Sequence, residues 1–104
     1  IQGKGIRCVS DRPWITTAET CECAMAFQSI GDTQHALELF KQIQIFRNDK
    51  GQYLTGMVFP ELVSFPEEEF STYSAAAVVL AADSLMGITE ASQLFSNHEF
   101  LPVL

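Results

Sequence analysis

Two carboxylates three residues apart, Glu19 and Glu22, stand at the start of a run that is otherwise largely apolar. On a helix that spacing turns both toward the same space. Paired carboxylates beside aromatic rings are the equipment of glycoside chemistry, where one acid and one base or nucleophile flank the bond that breaks. Trp14 precedes the pair. Tyr53, Phe59, Phe65 and Phe70 follow on the stretch 47–70, together with a further carboxylate at Glu61. Glu22 has the stronger claim to chemistry, because a carboxylate on a buried helix needs a partner, such as Arg12, or a task. Glu19 also completes a capping box in Thr16-Thr17-Ala18-Glu19, where the Thr hydroxyl and the Glu side chain each satisfy a backbone N–H. The run Glu67-Glu68-Glu69 reads equally as solvated surface, and Trp14, Phe59 and Phe65 suit a core as well as a platform for a sugar.

Other chemistries lack their residues. Diphosphate binding needs a Mg²⁺ held by clustered Asp or a group of Arg and Lys, whereas Asp11, Asp32, Asp49 and Asp83 are scattered and so are the cations. Neither His35 nor His98 has an evident Ser or Cys partner, and no Gly-x-Ser-x-Gly elbow occurs. Cys8, Cys21 and Cys23 are an odd number without framework spacing, so they read as ordinary buried thiols, and no metal or cofactor is expected. Six Lys and Arg against thirteen Asp and Glu give a formal charge of −7. That balance excludes a nucleic-acid partner and disfavours an anionic membrane surface. The apolar run 75–82 is too short to span a bilayer, and no cationic leader precedes an apolar stretch. A cytoplasmic protein is expected. Opening on Ile1 rather than Met, the chain reads as a processed or truncated piece.

Helices must position these groups. The spacing predicts a first helix from Thr16 to a left-handed cap at Gly31, apolar on every face beyond its first turn and therefore buried. Asp32 then caps an amphipathic second helix with Ala36, Leu39, Phe40, Ile43 and Phe46 on one side. The residues 47–70 form a connector too long for a plain helix–helix loop, a kind that is usually functional or disordered. Ser71 or Thr72 caps a third helix, apolar all round through 75–82 and closed by Gly87, and a short fourth helix is expected over 89–95. Two helices apolar on every face exceed what a chain of 104 residues can bury alone, so a larger parent or a second copy should cover them.

A family resemblance runs through the same residues. Arg7-Cys8-Val9-Ser10-Asp11, Pro13-Trp14, Ala18-Glu19-Thr20-Cys21-Glu22, Gly31-Asp32, Ala36-Leu37-Glu38-Leu39-Phe40 and Asp49-Lys50-Gly51-Gln52-Tyr53 carry its first part. Thr55-Gly56, Phe59-Pro60-Glu61 and the segment from Thr72-Tyr73-Ser74 to Ala82-Asp83 carry the rest. Together they resemble the C-terminal portion of a bacterial prenyltransferase-like family built on the α,α-toroid of six-hairpin glycosidases and terpenoid cyclases. Leu54 departs from the pattern where a Trp is expected.

The resemblance implies an all-α fold, two αα-hairpins of a toroid whose earlier hairpins are absent, with a short β-ribbon in the connector around Tyr53 to Phe59. It also implies that Trp14, Glu22, Tyr53 and Glu61 meet at one cavity mouth, with Glu22 and Glu61 catalytic and Trp14, Glu19, Tyr53, Thr55 and Tyr73 binding substrate. A saccharide or lipid-linked ligand is the expected substrate, and the isolated piece is expected to be inactive. The alternatives are a non-catalytic helical self-association module and an isoprenoid-binding protein.

Overall fold

A computed structural model of the chain describes residues 3–93. Trp14-Ile15-Thr16, one aromatic and two β-branched residues, forms strand β1 (Trp14–Thr16). Thr16 then turns the chain into helix α1 (Thr17–Ser29) as its N-cap. The expected capping box is replaced by a different arrangement. The Thr16 backbone N–H donates to the Ile6 carbonyl at 3.3 Å and so makes no demand on Glu19, and the Thr16 hydroxyl donates to the Glu19 carboxylate instead. At the far end Gly31, at φ +85°, closes α1: its N–H donates to Gln28 O at 3.0 Å and the Asp32 N–H to Phe27 O at 2.9 Å. Asp32 accepts from the His35 N–H at 3.3 Å and starts helix α2 (Thr33–Gln42). Ala36 is buried from α2, and Ile43 and Phe46 from the 3₁₀ turn that follows, Ile43–Phe46.

The long connector is ordered by its own polar groups. Asn48 Oδ1 accepts from the backbone N–H of Lys50 and of Gln52, both at 2.9 Å, and bends the chain so that Arg47 and Tyr53 pair. The chain next forms strands β2 (Gly56–Val58) and β3 (Val63–Ser64). The three strands make one antiparallel sheet in the order β1-β2-β3, with Trp14 opposite Val58, Thr16 opposite Gly56 and Val58 opposite Val63. Gly56 is demanded by sterics. A Cβ there would lie 2.5 Å from Trp14 Nε1 and 2.6 Å from the Ile15 carbonyl oxygen.

Ser71 caps helix α3 (Thr72–Met86), its Oγ accepting from the Ser74 N–H at 3.1 Å, and Gly87 at φ +66° ends it. α1 lies against both α2 and α3, and the core gathers Ile15, Ala18, Cys21, Ile43, Phe46, Phe59, Ala77, Val78 and Ala81.

The fold is therefore mixed α and β, and the all-α expectation of two αα-hairpins is corrected. α1 and α2 make a hairpin through Gly31. α3 is followed, among the described residues, by a 3₁₀ turn (Glu90–Gln93) rather than a fourth helix, and Leu94, Phe95 and His98 lie outside the described residues. The physical reason is that β1 pairs with residues some forty positions later, a non-local contact to which local helical spacing is blind. The helices are also less buried than their composition implies. α3 buries Ser74, Ala77, Val78 and Ala81 but leaves Val79 67%, Leu80 50% and Met86 65% exposed. Among the described residues no helix is long and apolar enough to cross a membrane, and no group of three His, Cys, Asp or Glu is placed to hold a metal ion.

Candidate functional site

Three of the residues singled out from the sequence come together where α1 meets α3. Glu19 and Glu22 leave α1 one turn apart, and Tyr73 reaches across from the first turn of α3. The Tyr73 hydroxyl donates to Glu22 Oε1 at 2.6 Å, a short charge-assisted bond. Glu19 is tied down on both oxygens, by the Thr16 hydroxyl at Oε2 and by the Cys8 thiol at Oε1, 3.6 Å away. Glu22 thus keeps a free carboxylate oxygen, whereas Glu19 serves its neighbours. Glu22 stands exposed, on the solvent side of α1, and its partner is Tyr73 rather than Arg12.

Electrostatics ties these groups into one unit. The hydrogen bond to Glu22 raises the Tyr73 phenol above the usual tyrosine value. The negative charge of Glu22 adds to that, and Glu19 and Cys8 add smaller pushes in the same direction. Burial raises the Cys8 thiol, and Glu19 raises it further by its charge and by accepting the thiol proton. Burial also pushes the Cys21 thiol up to about 12, assisted by the charge of Glu22, so neither thiol is poised as a nucleophile. Beside the acid pair runs an open groove of about 550 Å³ lined by Glu22, Met25, Ala26, Ser29 and Leu80. Apart from Glu22 and Ser29 its walls are apolar.

Trp14 lies elsewhere. Its indole N–H donates to the Phe65 carbonyl at 2.9 Å, and the two rings meet edge to face at 88° with centroids 5.3 Å apart. With Arg12, Pro13 and Val58 they line a second pocket of about 220 Å³.

The remaining residues are dispersed. Tyr53 packs on the core and donates from its hydroxyl to Gln44 Oε1 at 2.7 Å. The Thr55 carbonyl accepts from the Thr17 N–H at 3.0 Å, the Thr55 N–H donates to Glu69 O at 2.8 Å, and its buried Oγ1 has no hydrogen-bond partner. Glu61 is exposed on the turn between β2 and β3. Neither the groove beside Glu22 nor the pocket at Trp14 is lined by Tyr53 or Glu61.

Sequence reasoning paired Thr16 with Glu19 but through the backbone rather than the Thr16 hydroxyl, and it missed Cys8 as a second group on Glu19 and Phe65 as the partner of Trp14. The Thr16–Glu19 spacing was a local signal for contact between the two. No local pattern announces a bond between Glu22 and Tyr73 or between Trp14 and Phe65, each pair being fifty-one residues apart.

No family model matches the chain. It is similar to the MMP endo-(1,4)-3-O-methyl-alpha-D-mannosidase of Mycolicibacterium hassiacum, with 43% identity over 95 residues. The match takes in 91% of this chain and 26% of that protein, so the chain spans about a quarter of the length of the curated relative it matches.

Proposed function

We propose that this chain is part of a longer protein that acts on a carbohydrate, and that Glu22 is the carboxylate that works at the glycosidic bond. The observation that carries the reading is the Tyr73–Glu22 hydrogen bond at the edge of an apolar groove. One carboxylate oxygen is oriented by the phenol and the other is left for substrate. Glu19, three residues away and held by Thr16 and Cys8, fixes the local charge and is a positioning residue. The substrate class is supported by the relative, whose name specifies cleavage within an α-(1,4)-linked chain of 3-O-methylated mannose. Kinship with the prenyltransferase-like family is proposed on the motifs that resemble it.

The exposed apolar face of α3, with Ala26 of α1 beside it, favours a further element of this reading. Val79, Leu80 and Met86 are proposed to pack against other parts of the longer polypeptide, which would also wall the groove beside Glu22. If this chain alone is a dimer in light scattering while the longer protein is a monomer, that packing is supported. A stable monomer of the 104-residue chain sinks it.

The decisive assay is cleavage of an α-(1,4)-linked 3-O-methylmannose oligosaccharide by the longest natural polypeptide that contains the chain. Glu22→Gln should lower kcat by roughly 10²–10⁴-fold, the usual scale for loss of a positioned acid or base. Tyr73→Phe should cost less, because it removes an orienting group and leaves the carboxylate. Cleavage by Glu22→Gln at the wild-type rate refutes the assignment.

A further inference from the structure

The pocket at Trp14 is separate from the groove beside Glu22, and its chemistry is different. It is lined by Arg12, Pro13, Trp14, Val58 and Phe65, and the surface these residues turn toward it is almost wholly apolar. At about 220 Å³ it is smaller than the roughly 300–1,000 Å³ pockets that take drug-sized ligands, so it suits a single ring. The two aromatic rings, set at 88°, form a right-angled corner. That corner is held rigid. The indole N–H is tied to the Phe65 carbonyl, and Gly56 lets the indole lie against β2 where any side chain would displace it. Phe65 is nevertheless 52% exposed, a large aromatic kept in water although the core does not use it. Arg12 is exposed and forms no ion pair among the described residues, so its donors are available to hydroxyl groups.

We propose that this corner is a binding subsite for one O-methylated hexose ring, whose apolar face and methyl ether lie on Trp14, Val58 and Phe65 while Arg12 donates to its hydroxyls. The proposal rests on the carbohydrate reading above and deepens it by naming the chemical feature recognised. An unmodified hexose would bring to these walls a hydroxyl donor that finds no acceptor there, whereas a methyl ether has no donor to leave unpaired. Selectivity for the methylated sugar follows from the wall composition alone.

Trp14 is the sole tryptophan of the chain, so its emission reports this corner without background. The 104-residue chain is titrated with methyl 3-O-methyl-α-D-mannopyranoside and with methyl α-D-mannopyranoside, its helical far-UV signature being recorded throughout. A saturable change in Trp14 emission is expected with both, about fourfold tighter for the methylated sugar, the ratio given by about 0.8 kcal/mol for one buried methyl group. Phe65→Ala removes one wall but keeps the carbonyl that holds the indole, and should weaken binding by roughly two- to tenfold. Val58→Thr, nearly isosteric, should erase the preference between the sugars without unfolding the chain. A folded chain whose Trp14 emission ignores both sugars, or that binds them equally, overturns the proposal. Glu22-dependent cleavage in the longer protein with a silent Trp14 would sink this subsite alone. A Trp14 response together with cleavage indifferent to Glu22→Gln would sink the catalytic reading alone.

Discussion

Gly56→Ala should destabilise the protein sharply, and the structure says where the strain falls. The added Cβ would lie 2.5 Å from Trp14 Nε1, 2.6 Å from the Ile15 carbonyl oxygen and 3.2 Å from Thr16 Cγ2. The middle contact decides the cost. A side-chain tip can swing away, but the Ile15 oxygen belongs to the backbone of β1, directly paired with β2, so relief means parting the two strands. Ile15 is fully buried in the core, which resists that movement. Overpacking of this kind costs about 1–3 kcal/mol, and a backbone obstacle puts this case at the upper end. With a urea slope of about 1–3 kcal/mol per M, the unfolding midpoint should fall by roughly 1–3 M. Trp14 emission should move to the red in the folded baseline as the indole loses its bond to Phe65. Gly31→Ala is the control. It meets nothing within 4 Å and carries only the left-handed backbone penalty of its φ of +85°, about 1–2 kcal/mol, with Trp14 undisturbed. If Gly56→Ala unfolds at the wild-type midpoint with unchanged emission, the packing of β1 on β2 described above is wrong.

Two further outcomes follow from the electrostatics of the α1–α3 junction. Tyr73 should ionise above the ordinary tyrosine value on alkaline titration followed by phenolate absorbance, and Glu22→Gln should bring it back toward that value. Because the folded-state pKa of Tyr73 is raised, its contribution to stability is intact below the ordinary tyrosine value of 10.0 and is lost as pH climbs through the raised one. Glu22→Gln should therefore flatten the alkaline fall in stability, and an unchanged alkaline limb would contradict the Tyr73–Glu22 bond. Cys21, buried and with its thiol near 12, should be the last of the three cysteines to react with a disulfide reagent in the native protein, and all three should react together in urea. Prompt native-state labelling of Cys21 would show that α1 does not pack as described.

Local chemistry legible in the chain determined the helices and their ends. Gly31 and Gly87 supply the left-handed backbone that stops α1 and α3, and Asp32 and Ser71 supply the oxygens that start α2 and α3. These signals act over three or four residues, which is why spacing alone finds them. The sequence also placed Glu19 and Glu22 on one helix, facing a shared space. Tertiary structure alone decided what each carboxylate does. Glu19 is absorbed by Thr16 and Cys8, and Glu22 is oriented by Tyr73 from a helix fifty-one residues away. It likewise decided that Trp14 belongs to a sheet with the connector. A strand of three residues gains its hydrogen bonds from a distant partner and leaves almost no periodic trace, so the pairing of Trp14 with Val58 and the corner it makes with Phe65 exist only once the chain has folded.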